Sequence, residues 1–404
     1  MQTRGQQMLA LRRSRMAASH PFFRGGFRPF FFGGAAWGVI SLTLWLMSLA
    51  GVISLPSAFE PLAWHRHEML FGFVGAVVSG FLLTAIPNWT GRLPIAGFPL
   101  AALFGLWIAA RFAVLFSAPL GLTVASLLDV GFYIVLAALA GREVLAAKSR
   151  NLPIVSLVLL LGLANCLDYL AASGVLGDRG LGSRAGIALM VVMISLIGGR
   201  IVPSFTRNWL VKQSVKDRLP GQPNRFDLVV IAITAAAMIV WTMSPFWNFG
   251  GGMLIVAAIL QAVRLGRWQG HRTYPDPLVL ILHVGYAWVP IGLALLGASI
   301  VGTAVPTSAA IHALTAGAMA TMILAVMTRA SLGHTGRELQ ASAATTLLYL
   351  LITLGALLRV TAPLGIVNYI LAIQLSAVAW AGAFLIFLLA YGPILFAPRI
   401  GDRL

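Results

Sequence analysis

The side chains in this sequence best suited to chemistry are its histidines. There are seven in 404 residues, in a chain that is 59% hydrophobic. Five sit at the ends of long apolar runs. His65 and His67 open one in WHRHEMLFGF, His283 lies just inside another in LVLILHVGYAW, and His312 and His334 bracket a third in IHALTAGAMATMILAVMTRASLGHTGR. Imidazole is a poor guest for hydrocarbon, and ionisable groups at membrane depth mark pathways, relays or ligand sites. Histidine is also the commonest ligand for haem iron, copper and zinc. The pattern predicts a membrane protein that carries a cofactor.

The elements that must hold these histidines are helices. Charged residues make up only 10% of the chain, against roughly 25% in a soluble domain. A helix needs about 20 apolar residues to cross a bilayer. Twelve runs qualify, at about 31–53, 67–89, 97–116, 120–141, 153–175, 185–206, 227–247, 250–266, 278–300, 307–328, 343–363 and 366–397. The expected fold class is all-α, a polytopic membrane protein of about twelve transmembrane helices. It reads as a single membrane domain over residues 1–404. Within it are a cytoplasmic or interfacial segment 1–30, helices one to six in 31–206, a polar cytoplasmic loop 207–226, and helices seven to twelve in 227–397. No sequence repeat between the two halves is evident.

The net charge of +17 invites a nucleic-acid partner, but its placement argues against one. With the N-terminus in the cytoplasm, 23 of the 28 Lys and Arg fall on the cytoplasmic side, and only Arg66, Arg111, Arg179, Arg184 and Arg359 fall on the other. Such asymmetry follows the positive-inside rule. It predicts both termini in the cytoplasm, membrane lipid as the partner, and no nucleic acid. Residues 1–19 lack the apolar core of a signal peptide. The one cysteine, Cys166, leaves no internal disulfide and no cysteine metal motif.

Orientation sorts the polar residues by membrane side. Near the outer face lie Glu60, His65, His67, Glu68 and His312. On a helix His65 and His67 diverge; in an extended lead-in they point together. Joined by His312 they make a three-imidazole metal site that suits copper, with Glu68 as an acceptor orienting one histidine. The alternative makes His65 and His67 interfacial and gives His312 a carbonyl partner. Near the inner face lie Arg200, Arg207, His283, Arg329 and His334. His283 and His334 are candidate axial ligands of a haem. The three arginines are candidate partners for its propionates, and Tyr286 and Trp288 candidate walls of the porphyrin. The alternatives are arginines that snorkel to headgroups and a His334 that is merely a loop residue. His312 and His334 lie roughly 33 Å apart on one helix, so they cannot share a metal. Asp129, Asp168 and Arg111 read as a pairing that offsets the cost of buried charge, or as a proton entry path. HPFFRGGFRPFFF, residues 20–32, reads as an interfacial anchor in which Arg24 or Arg28 adds a propionate contact.

FRGGFRPFFF, WHRHEMLFGF, GGRIVPSFTRNWL, LHVGYAWVPIG and HALTAGAMATMILAVMTRASLGHTGR together resemble the NnrS family, in the same order and over essentially the whole chain. The resemblance implies a twelve-span protein of the bacterial inner (cytoplasmic) membrane. It implies haem, expected here as haem b, and copper, and an association with denitrification and nitric-oxide stress. The expected function is then binding and detoxification of nitric oxide, by reduction or another redox step, with turnover as an oxidoreductase left open. The alternative class is a twelve-helix secondary transporter or permease for a metal or metal–nitrosyl species.

Overall fold

The computed structural model describes residues 14, 18–302 and 304–401, and among these there are helices and connecting turns but no strand. Arg4, Arg12, Arg13, Arg15 and Arg403, which enter the charge asymmetry, and the start of the 1–30 segment lie outside the described residues. Twelve helices are long and apolar enough to cross a membrane. They are α1 Phe27–Leu49, α2 Pro61–Thr90, α3 Phe98–Leu115, α4 Leu122–Ala146, α5 Leu152–Ala172, α6 Leu181–Lys212, α7 Arg225–Met243, α8 Asn248–Gly266, α9 Pro277–Val301, α10 Thr307–His334, α11 Ala343–Leu364 and α12 Tyr369–Phe396. This is a multi-pass membrane protein. A helix satisfies its own backbone hydrogen bonds, which hydrocarbon demands.

Two boundaries differ from expectation in ways that matter for the histidines. The second span starts at Pro61, well before the expected 67. Proline at the first helical turn costs nothing, because its missing N–H has no intrahelical partner there, and its fixed φ suits the helix. WHRH is therefore helical, and His65 and His67 diverge. The sixth span runs on to Lys212, so Arg207 is a helical residue rather than part of a loop. The seventh opens with a capping box, in which the Asn224 side chain accepts from the Asp227 backbone and the Asp227 side chain accepts from the Asn224 backbone.

The chain divides into two compact units. The first comprises residues 1–183, 330–338 and 388–404, hence α1–α5 and the tails of α10 and α12. Its helices meet through glycines, as membrane helices do. Gly34 of α1 lies against Ala76 and Val77 of α2, Gly80 of α2 against Phe30 and Phe31, and Gly162 of α5 against Tyr133 of α4. Arg28 is buried and donates to the carbonyl oxygens of Leu395 and Ala397 at 2.7 and 2.6 Å, which satisfies the open carbonyls at the end of α12.

The second unit comprises residues 184–329 and 339–387. Gly251 of α8 and Gly297 of α9 stand back to back, so a Cβ on either would meet the other's carbonyl oxygen. Below them a buried network is closed upon itself. Arg264 donates to Asp227 at 2.8 Å, to the Ser195 carbonyl at 2.8 Å and to the Tyr286 hydroxyl at 2.9 Å. Tyr286 in turn donates to Gln261 at 2.7 Å, and Gln261 donates to Ser195 and Thr234. A buried charge so surrounded is a packing element.

One local structure occurs twice. α2 is interrupted by a seven-residue π-helix, Glu68–Val74, and α10 by another, Ala313–Met319. The two are 245 residues apart, and so are Pro61 and Pro306, His67 and His312, Gly72 and Gly317, Gly91 and Gly336, and Arg92 and Arg337. Gly91 and Gly336 both take positive φ, 65° and 75°. α3 and α11 also start 245 residues apart, at Phe98 and Ala343. Trp37 of α1 lies against Gly72, and Trp288 of α9 lies against Gly317. A repeat is therefore present, with α1–α4 recurring as α9–α12. Comparing helices one to six with seven to twelve hides it, because the repeating unit is four helices long.

Candidate functional site

Four helices of the first unit bring ionisable groups to one buried place. α2 supplies His67 and Glu68, α3 Arg111, α4 Asp129, and α5 Asp168 together with Asn165 and Tyr169. His67, Glu68, Asp129 and Asn165 are 0% exposed and Arg111 1%. His67 bridges two carboxylates: Nε2 is 2.9 Å from Asp129 Oδ2 and Nδ1 is 3.0 Å from Asp168 Oδ2. Arg111 spans the other two acids, donating from Nη1 to Glu68 Oε2 at 2.6 Å and from Nη2 to Asp129 Oδ1. Trp37 Nε1 donates to the same Glu68 oxygen at 2.5 Å. Asn165 and Tyr169 donate to Asp129 Oδ2 at 2.9 and 3.3 Å.

The π-helix helps to make this place. Its wide turn is a device seen often at functional sites. Here its carbonyl groups accept from side chains of neighbouring helices: Tyr133 donates to Phe71 O at 2.7 Å and Trp107 to Gly72 O at 3.1 Å. Gly72 must be glycine, because a Cβ there would fall on Glu68, Arg111 and Trp37. Four buried atoms in or beside the cluster have no hydrogen-bond partner: Glu68 Oε1, Arg111 Nε, Asn165 Oδ1 and Trp64 Nε1.

The expected three-imidazole site looks different in detail. His65 turns away from His67 and stacks on Trp45, with ring centroids 3.9 Å apart. Both nitrogens of His67 are engaged by carboxylates, which leaves no lone pair for a metal. His312 belongs to the second unit, and its Nδ1 lies 2.6 Å from Ser308 O one turn back in its own helix. Among the described residues no three His, Cys, Asp or Glu side chains are grouped as a metal site. The imidazoles expected to hold copper do not fit it in this arrangement. Glu68 does not orient a histidine; it serves Arg111 and Trp37. The Asp129–Asp168–Arg111 grouping is real in part, with His67 inserted between the two aspartates. Trp37, Tyr169 and the Glu68–Arg111 pair were not anticipated.

In the second unit His283 of α9 is buried, and its Nε2 lies 2.8 Å from the Thr206 hydroxyl of α6. Thr206 spends its own proton on Val202 O at 2.8 Å. With that proton on Val202 O, His283 donates from Nε2 and Nδ1 is a bare lone pair, buried and without a hydrogen-bond partner. The single turn Gly270–Thr273 covers this face, and a Cβ on Gly270 would fall on the imidazole ring. A buried, unprotonated imidazole nitrogen has the donor chemistry a haem iron takes, and the first atom that Cβ would meet is Nδ1 itself, so the turn stands against the donor. Arg200 and Arg207 are exposed on α6; Arg207 donates to Pro220 O at 3.3 Å. Arg329 lies over the Phe205 ring, 4.1 Å from its centroid. His334 belongs to the first unit and sits beside Phe27, with ring centroids 5.6 Å apart. Tyr286 and Trp288 are not porphyrin walls: Tyr286 serves Arg264 and Gln261, and Trp288 fills the groove at Gly317.

The model of one protein family, described as NnrS protein, matches residues 21–399. The chain belongs to the NnrS family. The match takes in all twelve spans, both π-helices and every residue of the two sites above. No curated protein matches the chain.

Proposed function

We propose that this NnrS-family protein binds and detoxifies nitric oxide in the bacterial inner membrane, with haem as its resident cofactor. His283 carries the reading, because its buried Nδ1 has no hydrogen-bond partner among the described residues. Haem, when bound, supplies an iron site for nitric oxide and a route for electrons. His283 would hold it, Thr206 fixes the imidazole tautomer and its angle, and the turn at Gly270 keeps water from the ring. Arg200, Arg207 and Arg329 are the candidate cationic partners for propionates. Copper is implied by the family resemblance, but no step is assigned to it, since His67 has no nitrogen to give.

A second reading has its own support. Glu68, Asp129 and Asp168 around Arg111 are the kind of intramembrane carboxylates that carriers use as relays, so a permease for a metal or metal–nitrosyl species is the rival. A pyridine haemochrome assay with metal analysis on purified protein separates the two. Haem near one per chain, with a spectrum that changes on adding nitric oxide, is the expected result. A colourless, metal-free protein that leaves nitric oxide untouched would leave the permease.

A further inference from the structure

The haem reading leaves the buried cluster of the first unit without a task, and we propose that it is a proton-loading site: Glu68 Oε1, beside the His67–Asp129–Asp168 bridge, takes up an exchangeable proton together with bound water. The proposal is independent of whether haem is present.

Counting protons comes first. Both nitrogens of His67 face carboxylate oxygens, at 2.9 and 3.0 Å. Each contact needs one hydrogen. A neutral imidazole supplies one, so the bridge holds a second, on the ring or on an aspartate, and its three members share it. With that proton on the ring, the cations are His67 and Arg111 and the anions are Asp129, Asp168 and Glu68. One negative charge is left over in a place sealed from water, where uncompensated charge is costly. A proton on Glu68 removes it. Glu68 Oε2 already accepts from Arg111 and Trp37, whereas Oε1 is buried with no partner.

The other orphaned atoms point the same way. Arg111 Nε is a donor and Asn165 Oδ1 an acceptor, both buried and both unpartnered. Water is the ligand that serves donors and acceptors at once. Trp64 Nε1, a third orphan, sits one turn from Glu68 toward the start of α2, and Glu60 one turn further. Residues four apart share a helix face. Glu60 is exposed and pairs with Arg179 at 3.2 Å. Glu60, Trp64 and Glu68 thus follow one another along one face of α2, from an exposed carboxylate to the buried one. The remaining titratable groups at the cluster are engaged: Tyr133 donates to Phe71 O and Tyr169 to Asp129. The step is protonation and release alone, with nothing oxidised or reduced.

The repeat provides an internal control. At the positions of Glu68 and Arg111 the second copy has Ala313 and Ala356. Yet it forms the same π-helix and the same tryptophan-on-glycine contact. The charges are therefore not what builds the π-helix.

Infrared difference spectroscopy on the purified protein, between mildly acidic and mildly alkaline buffer, tests this. We expect a pH-dependent carbonyl band of a protonated carboxylic acid that moves in heavy water and on labelling with 13C-glutamate. The band should be absent from Glu68→Gln, which keeps an acceptor for Trp37 and Arg111, and present in Glu60→Gln. A wild-type protein without such a band, or with one that moves only on 13C-aspartate labelling, overturns the proposal whether or not the variant folds. So does a Glu68→Gln protein of unchanged helicity that retains the band.

Discussion

His67 and His312 stand at the same point in two copies of one helix, each as the last residue before a seven-residue π-helix. Their partners have diverged. His67 lies between two aspartates, while His312 bonds the carbonyl of its own preceding turn. The shared backbone and the unshared chemistry lead to separate expectations.

Gly72→Ala and Gly317→Ala should both destabilise the protein, by about 1–3 kcal/mol, since the added methyl group falls on Glu68, Arg111 and Trp37 in the first case and on Trp288 in the second. Gly105→Ala, where a Cβ meets open space, should be neutral. Thermal unfolding in detergent checks this. Equal melting temperatures for all three would mean that the tryptophan contacts are loose.

Arg111→Met should cost more, on the order of 3–5 kcal/mol, because it strands buried carboxylates without their cation. Adding Glu68→Met should recover part of the loss, since the two side chains share one network. A double variant no more stable than the single one argues that Asp129 rather than Glu68 suffers the loss.

His283→Ala should remove most of the haem from purified protein without lowering its yield in the membrane. Thr206→Val should keep the haem but shift its spectrum, because the imidazole loses the acceptor for Nε2–H. Haemochrome titration and optical spectra of the two variants are the measurement, and wild-type spectra in both would remove His283 from the haem site.

Reporter fusions at Leu404 should give cytoplasmic-reporter signal and no alkaline phosphatase activity, given that 23 of 28 basic residues then face the cytoplasm. Phosphatase activity there would invert the membrane sides given to both histidine groups.

What was legible in the sequence follows physical scale. The spans were legible because length and hydropathy alone decide what crosses hydrocarbon. The Arg111–Asp129 pairing was legible because a charge at that depth must find its opposite. The start of α2 was not, because Pro61 reads as a breaker when its place is the first helical turn. Nor was the seat of His67 between Asp129 and Asp168, since contacts among α2, α4 and α5 depend on helix rotation, which packing sets. The bare nitrogen of His283 depends on where one hydroxyl proton of Thr206 goes. The repeat was obscured because Ala313 and Ala356 stand where the first copy has Glu68 and Arg111, its most recognisable letters.

The clasp of Arg28 on Leu395 and Ala397 bears on how the protein is made. Arg28 emerges from the ribosome early, and the carbonyl groups it binds emerge more than 360 residues later. The first unit also includes residues 330–338 and 388–404. Its first five helices therefore enter the bilayer well before their assembly can be completed. Through most of synthesis they wait as a partly built bundle, with the guanidinium of Arg28 short of the two carbonyl groups it will bind. Folding of this unit is post-insertional, and α12 is its closing event.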